Sequence, residues 1–212
     1  MTNPIFVAID TPRLDAARAL AQRVAPHVGG IKLGLEFFCA HGPAGVAAVM
    51  DGLNLPLFLD LKLHDIPNTV AGAAASLAPL APSILTVHAA GGAAMLAAAR
   101  AASLPTTRVV AVTVLTSLDD DDLAACGVAG GAAAQVQRLA GVVRGAGLAG
   151  VVASPHEAAG LRAAWPEALL VIPGVRPAGS EAGDQKRIMT PRAALDAGAS
   201  VLVIGRPITG AD

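Results

Sequence analysis

Aromatic side chains are almost missing from this chain: among 212 residues there is no Tyr, one Trp and four Phe. A protein that stacks on nucleic-acid bases needs more of them, and a net charge of −1 leaves no basic stripe for a phosphate backbone. Nucleic acid is therefore not an expected partner. Cysteine is scarce too. Cys39 and Cys126 stand far apart and outside any CxxC spacing. That excludes a disulfide framework or a cysteine metal site, and the pair reads as small buried hydrophobes of a cytosolic (cytoplasmic) protein. Charged residues supply only 15% of the chain against 54% hydrophobic ones, the reverse of the balance that keeps a chain disordered. With so few aromatics, the core must be built from closely packed small aliphatic side chains.

The mean hydropathy of +0.59 raises the question of a membrane. From Ile66 to Ala99 there is no Asp, Glu, Lys or Arg. This run nevertheless contains Pro67, Asn68, Pro79, Pro82, His88 and Gly91-Gly92, whereas a spanning helix needs about 20 predominantly apolar residues without such breaks. It reads as a helix, a buried strand and another helix. No secretory signal pattern precedes Asp10, so neither a membrane nor export is expected.

What the chain does contain is a repeating alternation. Apolar runs at Ile5–Asp10, Gly30–Gly34, Leu57–Leu63, Ile84–Ala89, Val109–Leu115, Gly150–Ser154, Leu169–Pro173 and Val201–Gly205 give eight candidate strands, apolar almost throughout as in parallel sheets buried on both faces. Ala-rich stretches between them carry helix-start signals, including Thr11-Pro12, Asp119 to Asp122, Ser154-Pro155 and Thr190-Pro191. Eight strand–helix units in 1–212 predict a single-domain α/β fold, a closed (β/α)8 TIM barrel. After the eighth strand only Arg206 to Asp212 remain, so the eighth helix is expected to be missing or truncated.

Polar residues gather near the C-terminal strand ends. In Leu59-Asp60-Leu61-Lys62-Leu63-His64-Asp65, strand alternation turns the leucines one way and Asp60 and Lys62 the other. In a barrel the leucines pack under the helices and the two charges face the mouth. Lys32 and Asp10, near the ends of the preceding strands, can join them, with Asp65 where the strand becomes a loop. So many charges on adjacent strands of a charge-poor chain point to chemistry, since buried charges are costly unless paired. A lysine flanked by carboxylates stays an ammonium, a proton donor and not a Schiff-base amine. That suits a reaction in which a carbanion forms and must be protonated.

Across the barrel, Pro173-Gly174-Val175-Arg176-Pro177 ends the seventh strand and Gly205-Arg206-Pro207-Ile208-Thr209 the eighth. Loops after strands seven and eight often hold phosphate in such barrels, and arginine offers bidentate contacts to it. Ser180 to Thr190 forms a polar loop of lid length between them. His88 and His64 read as structural, His88 as a hydrogen-bonded barrel residue. Asp119 to Asp122 reads as a solvated helix start, and Trp165 as packing.

The string Asp60-Leu-Lys-Leu-His-Asp65-Ile-Pro-Asn-Thr69, together with Lys32-Leu-Gly, Val112-Thr-Val-Leu-Thr-Ser117, Pro173-Gly-Val-Arg-Pro177, Gly183 to Pro191 and Gly205-Arg-Pro-Ile-Thr209, resembles the orotidine 5′-phosphate decarboxylase family. The resemblance runs from about Phe6 to Thr209 with every motif in order. It implies cofactor-free, metal-free decarboxylation of orotidine 5′-monophosphate to uridine 5′-monophosphate in de novo pyrimidine synthesis. Lys62 is then the proton donor to pyrimidine C6, Asp60 lies against the departing carboxylate, and Lys32 holds Asp60 and a ribose hydroxyl. Asp65, with Ile66 and Thr69, completes the neighbouring subunit's site, which implies a homodimer. Asp10 binds ribose and Thr116, with Ser117 close by, contacts the pyrimidine. Gln185 bridges base and phosphate, and Arg176, Arg206 and Gly205 hold phosphate beside Pro173.

Two other readings remain open at this stage. Relatives that share DxKxxD, the 3-keto-gulonate 6-phosphate decarboxylases and hexulose phosphate synthases, look like magnesium users with an acidic residue on the second strand; here that strand carries Lys32, with Glu36 just beyond. A non-catalytic binder of a phosphorylated ligand is the third.

Overall fold

The computed structural model describes residues 3–177 and 189–211. Its eight strands are β1 (Ile5–Ile9), β2 (Gly30–Gly34), β3 (Leu57–Leu63), β4 (Ile84–His88), β5 (Arg108–Val112), β6 (Gly150–Val152), β7 (Leu169–Ile172) and β8 (Val201–Ile204). Each pairs in parallel with its sequence neighbours, and β1 pairs with β8 to close the barrel. Helices α1 (Leu14–Val24), α2 (Leu35–Met50), α3 (Pro67–Ser76), α4 (Gly92–Ala102), α5 (Asp120–Ala125), α6 (Gly131–Gly145), α7 (Ala158–Ala164), α8 (Pro191–Asp196) and α9 (Arg206–Thr209) fill the connections. The expected barrel is thus present, and its eighth strand is followed by the single turn α9. Among the described residues no helix is long and apolar enough to cross a membrane.

Alternation along each strand divides the core in two. Ile9, Leu33, Leu59, Leu85, Ala111, Leu170 and Leu202 point outward and are covered by helices. Phe6, Ala8, Phe58, Ile84, Val110, Leu169, Val171, Val201 and Val203 fill the barrel interior. Phe6 and Phe58 meet edge to face with ring centroids 6.2 Å apart. Gly30 makes room for them, because a Cβ there would lie 2.3 Å from the Phe6 ring.

Three of the four helix-start signals act as read. Thr11-Pro12 does not, because α1 begins only at Leu14 with Arg13 as an N-cap that makes no side-chain capping bond. Thr11 Oγ1 instead accepts from the Arg13 N–H in the turn before it. Asp119 caps α5 in a reciprocal capping box with Asp122. Ser154 and Thr190 accept from the N–H groups of His156 and Ala193, each followed by proline in the first turn. Gly42 (φ 60°) and Pro43 kink α2. Trp165 is buried in the outer core. Two further expectations need correction. Cys39 and Cys126 are exposed: Cys39 lies two residues after the buried Phe37 on the outer side of α2, and Cys126 is the C-cap of α5. β5 stops at Val112, short of Leu115.

Candidate active site

The interior apolar stack ends at a layer of charge. On β2 the inward positions are Gly30, Lys32 and Gly34; on β3 they are Phe58 and Asp60. Lys32 Nζ lies 3.4 Å from Asp60 Oδ2 and 3.4 Å from Asp10 Oδ1, just beyond the end of β1. Lys62 Nζ lies 2.9 Å from Asp60 Oδ1. The signs alternate from Asp10 through Lys32 and Asp60 to Lys62, so each buried charge has an opposite neighbour. Gly34 keeps this space open: a Cβ there would stand 3.2 Å from Lys32 Nζ. Burial acts to raise the Asp60 carboxyl, but the Lys32 and Lys62 ammonium groups, with hydrogen bonds from Lys62 and Thr86, outweigh it and hold it below the ordinary carboxylate value. Asp60 is an anion at neutral pH.

Lys62 faces the mouth by a route that simple alternation does not describe. Leu59 pairs with Leu85 and Leu63 with Val87, so Asp60, Leu61 and Lys62 stand opposite the single residue Thr86. The bulge places Lys62 at φ 49°, an uncommon conformation for a residue with a side chain. Thr86 was not among the residues singled out from sequence. Its one available signal was a hydroxyl at an inward position of a strand that is otherwise apolar up to its last residue, His88.

These groups open into a cavity of roughly 350 Å3 at the C-terminal end of the barrel. Asp10, Lys32, Asp60 and Lys62 line one side; Pro173, Arg176, Gly205 and Arg206 line the other; Thr116 and Ser117, from the loop after β5, complete the rim. Arg206 is exposed at the start of α9. Arg176 is mostly buried, and its Nη1 donates to the Val175 carbonyl. Val175 forms a parallel bridge with Met189. Gln185 lies outside the described residues.

Asp65, Ile66 and Thr69 do not line this cavity. They follow β3 as an exposed turn and the first turn of α3, with Ile66 66% exposed and Asp65 Oδ1 accepting from the Ile66 N–H. His88 also departs from expectation. Its Nδ1 is buried without a hydrogen-bond partner among the described residues, and the ring stacks on exposed His64 at 5.2 Å. Burial, then the neighbouring His64 and Lys62, push the His88 imidazole below its ordinary value.

A closed parallel barrel with paired ammonium and carboxylate groups at one side of its C-terminal mouth and arginines at the other defines a (β/α)8-barrel enzyme for a small phosphorylated substrate. Comparison with known proteins makes this specific. The chain belongs to the orotidine 5′-phosphate decarboxylase / HUMPS family, whose model matches residues 3–212. It is 60% identical to the orotidine 5′-phosphate decarboxylase of Novosphingobium aromaticivorans over all of this chain and 94% of that one. It is 62% identical to that of Sphingopyxis alaskensis, over 99% of this chain and 93% of that one. The crystal structure of orotidine 5′-phosphate decarboxylase from Lactobacillus acidophilus superposes with a TM-score of 0.86 at 34% identity, covering 99% of this chain and 93% of that one.

Proposed function

We propose that this chain decarboxylates orotidine 5′-monophosphate to uridine 5′-monophosphate and CO2 in pyrimidine synthesis, with its own side chains supplying the chemistry. The observation that carries this reading is the Lys32–Asp60–Lys62 array facing Arg206 across one cavity. Arg206, Gly205 and Arg176 hold the phosphate beside Pro173, with Gln185 bridging it to the base. Asp10 and Lys32 hold the ribose, and Thr116 and Ser117 the pyrimidine. The bond from C6 to the carboxylate breaks, CO2 leaves, and the electron pair remains on C6. The Lys62 ammonium stabilises that developing carbanion and then donates its proton to C6. Asp60 lies against the departing carboxylate and holds the Lys62 ammonium beside it through the 2.9 Å ion pair. Phosphate contacts far from the breaking bond supply binding energy that holds the carboxylate in place.

The same reading makes the protein a cytoplasmic homodimer. Exposed Asp65, Ile66 and Thr69 at the barrel mouth complete the partner's site, which explains why an apolar residue stands in solvent there. Lys32 favours this reading over the magnesium-dependent relatives, because an ammonium already fills the β2 position beside Asp60.

The test is the loss of orotidylate ultraviolet absorbance on mixing with the protein, in chelator and without it. Turnover unaffected by chelator is expected, and Lys62→Ala is expected to lose at least about 10²-fold in kcat. Chelator-sensitive turnover, or a Lys62→Ala variant with most of the activity, counts against the reading. Mixed Lys62→Ala and Asp65→Ala protomers are expected to regain activity, since one site of each hybrid dimer is intact.

A further inference from the structure

We infer that Thr86 is a positioning residue for the proton donor, its hydroxyl setting the distance between Asp60 and Lys62. The inference rests on the decarboxylase reading and extends it to a residue on the neighbouring strand. Thr86 is fully buried. Its Oγ1 accepts the Lys62 backbone N–H at 2.9 Å and donates to Asp60 Oδ1 at 3.0 Å. A hydroxyl has one hydrogen, and an ionised carboxylate only accepts. With the Lys62 N–H as donor, the hydroxyl hydrogen is directed at Asp60, so both bonds have a fixed sense.

The two bonds hold different ends of one pair. One fixes the backbone from which the Lys62 side chain springs, inside the bulge where three residues of β3 oppose Thr86 alone. The other fixes the carboxylate oxygen that Lys62 Nζ also contacts at 2.9 Å. A regular ladder would satisfy the Lys62 N–H with a carbonyl of β4; here the Thr86 side chain replaces it and holds Lys62 at φ 49°. Without the hydroxyl, the Lys62 N–H and Asp60 Oδ1 each lose a buried partner, and the bulge can relax toward a commoner conformation. Valine matches the shape of threonine but not its hydroxyl.

Steady-state kinetics of Thr86→Val and Thr86→Ser on orotidylate test this, with Lys62→Ala measured alongside. A misplacement of about 1 Å can cost roughly 10²-fold in rate, so Thr86→Val is expected to lose about that in kcat. Its KM should stay within about twofold, because the phosphate contacts lie across the cavity. Thr86→Ser keeps the hydroxyl and is expected to retain kcat within about fivefold. If the valine variant does not fold, Thr86→Cys, with a weak donor and acceptor, replaces it and is expected to lose kcat with KM unchanged. A valine variant with wild-type kcat, or equal losses for valine and serine, overturns the inference. Wild-type inactivity on orotidylate, or a fully active Lys62→Ala, overturns the underlying reading instead.

Discussion

Lys32 Nζ bridges the first three strands of the barrel by lying 3.4 Å from Asp60 Oδ2, with only 8% of its side chain exposed. A lysine this buried is tolerated because Asp60 on β3 and Asp10 after β1 share its charge. The pairing also leaves Asp60 with two ammonium neighbours, which keeps it ionised where a departing carboxylate would meet it. On the proposed reading, stability and chemistry both depend on one alternating chain of charge, and separating them requires substitutions that change one without the other.

Asp60→Ala is the first. It leaves the Lys32 and Lys62 ammonium groups facing each other without the carboxylate between them. Breaking a buried pair on one side costs about 3–5 kcal/mol, and a fall of that size in unfolding free energy is expected. Lys62→Ala removes an end member of the array, more exposed than either Lys32 or Asp60, and is expected to cost much less. Urea denaturation of both variants, read at unchanged m-value, checks the contrast.

His88 gives a pH dependence of defined sign. Burial first, then His64 and Lys62, lower its folded-state value below that of an unfolded histidine, about 6.5. Between the two values the unfolded chain binds the extra proton, so stability is full above about pH 6.5 and falls as pH drops toward the folded value. His88→Gln is expected to flatten that fall. Tm measured at pH 7.5 and in mildly acidic buffer, in wild type and variant, provides the check; an identical acid loss in both would exclude His88 as its source.

Much of the architecture was legible because strands buried on both faces must be apolar throughout, and their eight runs stand out between Ala-rich stretches. The charged end of β3 was legible for the opposite reason, since Asp60 and Lys62 interrupt such a run. What stayed hidden depends on register. Alternation assumes one residue against one, and no residue type between Leu59 and Leu63 announces that three oppose Thr86. The role of Thr86 follows from that bulge, so it could not be read before it. Cys39 and Cys126 were misplaced because residue type carries only an average burial, and the stacking of His88 on His64 required knowing that the ends of β3 and β4 meet.

Gly30 and Phe6 make a steric pair that can be tested from both sides. A Cβ on Gly30 would fall 2.3 Å from the Phe6 ring, which is itself fully buried and wedged against Phe58. Gly30→Ala is therefore an overpacking substitution, expected to cost about 1–3 kcal/mol. In the Phe6→Leu background the added methyl gains room, so its cost is expected to shrink. A double-mutant cycle on unfolding free energies measures the coupling; strict additivity would show that the ring is not what the methyl strikes.

Arg162 supports the opposite end of the barrel from the charged mouth. Its Nη1 donates to the Pro166 and Ala168 carbonyls, while Nε and Nη2 donate to Gly198 O and Nη2 also to Ser200 Oγ. One planar fork thus ties the end of α7 and the approach to β7 to the turn before β8. Gly198 takes φ 102°, and a Cβ there would press within 2.9 Å of the Arg162 stem, so glycine is required for the guanidinium to reach. Arg162→Lys keeps the charge but replaces five fixed donors by three on a flexible stem, and cannot span four acceptors. Hydrogen bonds to a charged group contribute about 1.5–3 kcal/mol each, and several are lost together. A destabilisation of about 2–4 kcal/mol is expected for Arg162→Ala, with most of it retained in Arg162→Lys. Because this clamp lies far from Lys62, kcat per folded molecule should not change. Thermal unfolding alongside orotidylate turnover below the transition separates the two, and a fall in kcat without a fall in Tm would contradict a purely structural role.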